Sequence, residues 1–409
     1  MKKTIAILAT MDTKGQESNY LREKIESLGG SALLIDMGVV GEPGTRVDIG
    51  REELAAAGGG SLEELLRNPT RQDASPVMIR GATETISKQV EKGQIQAIIA
   101  LGGSQGTSNC SPVLQALPYG FPKIMVSTMA SGDTSAFVDI KDITMMFSVS
   151  DILGLNTFTR RILANAAGAA YGMAQIDQPV QSERKEKPLI GMTNLGVLTE
   201  GAMIALDLFT KAGYEVIVFH AVGSGGRAME QMMKDGIVGA VFDYGLGEIP
   251  DEIYDAFRAA GPERLTVAGK LGLPQVVCPG GAEHLGIIVS NPNEVPEEYS
   301  EYKYVFHSPI VFVPRLKGEE MVRVAQEITS RLSHTKEKAY FMLPTKGISR
   351  YSAEGMILED PESDQAFFRE IRSTLPDNFE LIERETHVED PEFVKEAVNL
   401  LISLIEERQ

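Results

Sequence analysis

The sequence predicts an α/β protein of two Rossmann-like domains, each with a mainly parallel sheet flanked by helices. Apolar stretches of strand length alternate with amphipathic stretches of helical period along the chain, the pattern of parallel strands joined by crossover helices. Several strand-length stretches are apolar throughout, as in AIIAL (97–101), which suits a sheet covered on both faces. The opening strand–helix–strand pattern also recurs after a polar break, and 409 residues are long for a single core.

Taken in order, TIAILAT (4–10) reads as the first strand, GQESNYLREKIESLGG (15–30) as a helix closing on Gly29 and Gly30, and SALLIDMG (31–38) as the next strand. A Gly-rich, charged excursion covers 41–75. A helix at 82–92 then leads to the strand IQAIIAL (95–101), a helix beginning near Thr107, and the strand PKIMVST (122–128). Residues 175–188, QIDQPVQSERKEKP, are polar, charged and bounded by prolines, and read as a linker. The domains are therefore expected at 1–178 and 187–409. The second opens as the first did, with PLIGMTN, GVLTEGAMIALDLFTKAGY and EVIVFHA as strand, helix and strand. KAYFMLP and FELIERE add strands, and GEEMVRVAQEITSRLS adds a helix. PEFVKEAVNLLISLIEER reads as a final helix packed as a lid on the sheet.

Net charge of −18 argues against nucleic acid or an anionic membrane as partner. A small anion is not excluded, because backbone N–H groups bind phosphate whatever the net charge. Cys110 and Cys278 stand far apart, with no disulfide framework and no zinc-type pair. The apolar run after Lys2 and Lys3 is closed by Asp12 and Lys14, so it reads as a core strand and not as a signal peptide. No stretch approaches a membrane span, and the expected location is cytoplasmic.

Ligands of a doubly wound sheet bind beyond the carboxyl ends of its strands. There the first domain places Asp12, Thr13 and Lys14; then Gly102, Gly103, Ser104, Gln105, Gly106 and Thr107; then Ala130, Ser131 and Gly132. The glycines let amides turn toward a ligand, and the following helix start adds free N–H donors and the positive dipole end, a phosphate-binding arrangement. Ser104 and Thr107 are candidate hydroxyl donors and Lys14 a candidate charge. Asp12 reads as a helix N-cap, or as a contact to a ribose hydroxyl or metal. The loop is neither GxxxxGK[ST] nor GxGxxG. In the second domain His220, Asp243, Glu248 and Glu283 fall near strand ends, with His284, His307 and Arg315 nearby. They are candidate acid–base groups, with a divalent metal as a candidate cofactor, although none has ligand spacing on one element.

At these residues the chain resembles a known family. ATMDTKGQE, ALGGSQGTSN, FHAVGSGGRAME and above all PKIMVSTMASGDTSAFVDIKDITMMFSVSDILGLNTFTRRILANAA look like the family of the tomato mosaic virus resistance protein's ATP-binding domain and its bacterial relatives. The resemblance implies two Rossmann-like domains on a short linker, self-association as a homodimer or higher homo-oligomer, and ATP or another nucleotide in the first domain on the loops named above. The second domain departs from the family pattern, with Tyr244-Gly-Leu-Gly before Glu248 and Glu283-His284-Leu-Gly after Pro-Gly-Gly-Ala. Two other readings stay open: an enzyme of hydrolase, ligase or lyase type working between the domains, and a non-catalytic protein-interaction module.

Overall fold

The computed structural model describes residues 2–67, 70–176 and 187–408. Two compact units divide the chain, Met1–Val180 and Gln181–Gln409. Of the linker expected at 175–188, residues 177–186 lie outside the described residues.

In the first unit β1 (Thr4–Ala9), β2 (Ser31–Asp36), β3 (Ala97–Gly102), β4 (Lys123–Ser127) and β5 (Thr144–Phe147) form one sheet in the order β2-β1-β3-β4-β5. Every pairing is parallel. Its helices are α1 (Met11–Ser27), α2 (Arg51–Ala57), α3 (Leu62–Arg67), α4 (Arg71–Glu91), α5 (Ser104–Ala116), α6 (Ser135–Val138) and α7 (Thr157–Met173). The apolar strands are explained by burial on both faces. Ala6 and Leu8 of β1 pack with Leu54 of α2, Ile86 of α4 and Val113 of α5. Ile5 and Ile7 pack on the other side with Leu21 of α1 and Leu163 of α7. Helices α2 and α4 cross almost backbone to backbone at Gly58 and Gly81; a Cβ on Gly81 would collide with the Leu54 carbonyl.

The second unit holds β6 (Ile190–Asn194), β7 (Val216–His220), β8 (Ala240–Gly245), β9 (Gln275–Gly280), β10 (Ile287–Ile288), β11 (Tyr304–Ser308), β12 (Val311–Pro314), β13 (Ala339–Pro344) and β14 (Phe379–Arg384). Six of these make a parallel sheet in the order β14-β13-β9-β8-β6-β7. Read from its other edge, β7-β6-β8-β9-β13 repeats the winding of the first sheet. The two halves thus share a topology, with switch points between β1 and β3 and between β6 and β8. Helices α8 (Thr199–Lys211), α9 (Ser224–Lys234), α10 (Glu248–Ile253), α11 (Val267–Leu271), α12 (Gly318–Leu332), α13 (Pro361–Thr374) and α14 (Pro391–Glu406) accompany the sheet. The closing helix α14 packs with α8 on one face, through Val394, Leu401 and Phe209.

Three boundaries around the first-domain strand ends differ from the sequence reading. Helix α1 begins at Met11, so Asp12 and Lys14 sit in its first turn. Helix α4 begins at Arg71, inside the stretch expected to be irregular. Helix α5 begins at Ser104 and not near Thr107, because the Thr107 amide already closes a helical turn on the Gly103 carbonyl. The antiparallel β10-β12-β11 sheet, inserted between β9 and β13, has no counterpart in the expected pattern.

Candidate functional site

At the first switch point the ends of β1, β2 and β3 surround a cavity of about 440 Å³. The chain leaving β1 contributes Thr10, Asp12, Thr13 and Lys14. The chain leaving β3 contributes Gly102, Gly103, Ser104, Gln105 and Gly106. The remaining wall comes from Met37–Val40 after β2 and from Thr70, Ala74, Ser75 and Met78 of the α4 region.

The two helix N-termini at this cavity are not equivalent. At α1 the protein supplies its own anions: Asp36 Oδ1 accepts from the amides of Met11 at 2.9 Å and Gly38 at 2.7 Å, and Asp12 Oδ1 accepts from Thr13 at 2.8 Å. Burial pushes the Asp36 carboxyl up, and those amides pull against it. At α5 the N-cap is Gly103, no side chain among the described residues caps the helix, and its first turn holds no acidic residue. The first-turn amides of Ser104, Gln105 and Gly106 are the donors an α-helix leaves unsatisfied. Gly102 has a packing reason as well, since a Cβ there would sit 2.7 Å from Gly106 Cα. Lys14 Nζ donates to the Ile152 carbonyl at 2.6 Å, leaving further N–H groups on the ammonium.

The second unit has its own cavity, of about 340 Å³, lined by Leu195 and Val197 beyond β6, His220 at the end of β7, His284 beyond β9, His307 of β11 and Tyr351 beyond β13. Glu283 lies just behind His284, its Oε1 3.1 Å from His284 Nδ1, and it accepts from the Ser349 hydroxyl.

Family models cover both units: the "Uncharacterised protein family (UPF0261) N-terminal domain" matches residues 3–179 and its C-terminal domain matches 187–405. The chain belongs to the UPF0261 family. A UPF0261 protein of Clostridium tetani is 40% identical over 408 residues, 99% of this chain and 100% of its own length. One from Rhizobium meliloti is 34% identical over 398 residues, covering 97% and 98%. The ToMV resistance protein Tm-1 of Solanum lycopersicum is 29% identical over 338 residues, 81% of this chain but 44% of its own.

In this UPF0261 chain the expected nucleotide residues separate into two groups. Asp12, Thr13, Lys14, Gly102, Gly103, Ser104, Gln105 and Gly106 share one cavity. Thr107 does not line it: the buried hydroxyl donates to the Gly103 carbonyl at 2.8 Å and lies 2.6 Å from Ser127 Oγ. Ala130, Ser131 and Gly132 do not line it either; Ser131 and Gly132 are exposed beyond β4. Sequence reasoning missed Met37–Val40 and the α4 wall, which only the winding of the chain brings to β3.

The four expected catalytic residues also separate. His220 lines the second cavity and Glu283 backs it, but Asp243 and Glu248 belong to a buried charge cluster and line no part of it. Arg264 donates to Asp243 at 2.5 and 2.6 Å and to Glu248 at 2.6 Å, and its NH1 lies 3.4 Å from Glu230. Both carboxylates, expected as acid–base groups with His220 and Glu283, are thus engaged by a buried arginine away from that cavity. Among the described residues no group of three or more His, Cys, Asp or Glu is placed to hold a metal ion, and no helix is long and apolar enough to cross a membrane.

Glu283 carries a pH prediction. Burial alone would raise its carboxyl, but His284, Arg315 and the Ser349 hydroxyl outweigh burial and hold it at about 2. A depressed folded value stabilises fully above the ordinary value of 4.5 and loses that stabilisation as pH falls through the folded value. The full effect is on the order of 3 kcal/mol. In urea titrations, the stability gap between wild type and Glu283→Gln is expected to narrow between about pH 5 and 2. A gap that stays constant rejects the ionised Glu283.

Proposed function

We propose that the first domain binds a nucleotide, ATP or another, with its phosphates on the first turn of α5. The observation that carries this is the uncapped α5 N-terminus opening into the switch-point cavity, while the neighbouring α1 terminus is filled by Asp36 and Asp12. Free amides and the positive end of the helix dipole favour a phosphate there. Ser104 adds a hydroxyl and Lys14 a positive charge from the facing loop. Met37, Val39 and Met78 provide an apolar wall on which a base can pack. Asp12, exposed at the rim, suits a ribose hydroxyl or a phosphate-bound cation. The resemblance to the family of the tomato mosaic virus resistance protein's ATP-binding domain supports the same reading.

Isothermal titration of the full chain with ATP, ADP and UMP tests it. Saturable heat is expected with at least one of them, and heats no larger than dilution with all three reject it. Self-association as a homodimer or larger homo-oligomer, and a cytoplasmic setting, belong to the same reading. The two free buried thiols, Cys110 and Cys278, accord with a reducing compartment. Sedimentation of the purified chain tests the assembly, and cell fractionation tests the location.

A further inference from the structure

Three of the chain's five histidines, His220, His284 and His307, line one cavity of about 340 Å³ in the second domain. They arrive from the end of β7, the turn after β9 and the inserted strand β11, so no local sequence constraint gathers them. The cavity lies beyond the carboxyl ends of a doubly wound sheet, the usual ligand position of that fold. Its walls are otherwise largely apolar, with Leu195, Val197, Val222, Phe257, Val311 and Val313. No Asp or Glu is among the described lining residues.

The polar groups indicate what the cavity accepts. Arg258 is buried, and its donors can be followed one by one. Nε and NH2 form a fork on Asp251 at 2.8 Å each, and NH2 also reaches the His284 carbonyl at 2.8 Å. Among the described residues NH1 meets only His284 Nε2, at 3.3 Å. A guanidinium has five N–H groups, so one NH1 hydrogen has no acceptor among the described residues. His284 Nε2 accepts from Arg258, and its Nδ1 lies 3.1 Å from Glu283 Oε1. His307 Nδ1 lies 3.0 Å from the Tyr351 hydroxyl. When that hydroxyl donates, the His307 proton sits on Nε2, a second donor.

An unused guanidinium N–H in a desolvated setting is a strong partner for an anionic oxygen. The apolar walls match a compact hydrocarbon body and disfavour a phosphate, whose remaining oxygens would lose water without replacement. We propose that this cavity binds a small carboxylic acid with a compact apolar body, its carboxylate held by Arg258 NH1 and His307 Nε2. The inference does not rest on the nucleotide reading, which concerns the other domain.

Imidazole ¹H–¹⁵N NMR of the labelled full chain provides the test, with His334 and His387 as internal controls. Benzoate and isovalerate are titrated against benzamide and benzylamine, matched in body but not in charge. At least one acid is expected to shift the His220, His284 and His307 signals saturably while the controls stay still. His307→Gln, at an exposed position, and Val311→Trp, which fills the cavity, should each weaken binding about tenfold or more. The proposal is overturned if neither acid moves the three rings at millimolar concentration. It is equally overturned if the amide or amine moves them as strongly, if the control rings move alike, or if both variants bind as wild type does.

Discussion

Arg264→Leu is expected to lower the unfolding free energy by about 3–5 kcal/mol, the usual effect of removing one partner from a buried ion pair. The size follows from what the guanidinium holds. Arg264 is fully buried, and its N–H groups bind Asp243, Glu248, Glu230 and the Gly245 carbonyl. The carboxylates have further partners, which fix them in place. Glu248 Oε1 accepts the amides of Gly223 and Gly226 at the start of α9, Asp243 accepts the Thr193 hydroxyl, and Glu230 accepts the amides of Leu265 and Val267. Without the arginine these acids stay buried with no cation among them. Burial already pushes the Glu230 carboxyl up to about 7 and raises Glu248, in each case against the pull of Arg264.

Urea unfolding of the full chain, followed by circular dichroism, measures this loss. Arg264→Lys is expected to recover little, because one ammonium cannot reproduce the planar fork on Asp243. Combining Arg264→Leu with Asp243→Asn and Glu248→Gln should recover part of the stability by removing the stranded charges. If Arg264→Leu unfolds at the wild-type midpoint, the cluster has no structural role and Asp243 and Glu248 return as catalytic candidates.

This cluster also shows where sequence reasoning reaches its limit. Asp243 stands at the end of a buried strand and Glu248 just beyond, the positions where a doubly wound fold keeps its chemistry. Nothing local separates a catalytic acid from one that joins two helix N-termini to a buried arginine. The decisive residue, Arg264, sits in RAAGPERLTV, a stretch without periodicity or motif. Central strands such as β1 and β3, by contrast, were legible, because burial on both sheet faces leaves continuous apolar runs such as AIIAL. The glycine loop after β3 was legible for the same reason: it interrupts such a run where the fold places ligands. The opposite wall was not legible. Ser75 and Met78 come from a helix whose first turn lies in a polar excursion, and the Gly58–Gly81 crossing that packs it on α2 is set by tertiary contact. Likewise Thr107 carries the right hydroxyl at the right spacing, but Ser127 on the next strand engages it.

Gly103→Asp is expected to weaken nucleotide binding by two to three orders of magnitude while leaving the fold as stable as wild type or slightly more so. Opposite signs make the result diagnostic. Gly103 has φ −75°, ordinary for any L-residue, and a Cβ there meets nothing closer than Thr128 Oγ1 at 3.8 Å. The substitution therefore introduces no strain. An Asp at this position is a favoured N-cap and complements the helix dipole, worth a few tenths to about 1 kcal/mol. The same carboxylate would occupy the amides proposed for phosphate and stand within about 4 Å of it, a repulsion of roughly 4 kcal/mol in a partly screened site. Gly103→Asn separates the two effects, since it caps the helix without the charge and should fall between wild type and Gly103→Asp. Thermal unfolding and calorimetric titration on the three proteins provide both readouts. Raised or unchanged stability with lost binding places the phosphates on α5. Wild-type affinity in Gly103→Asp would remove them from that helix, leaving the glycines after β3 with the packing of Gly102 on Gly106 as their sole role.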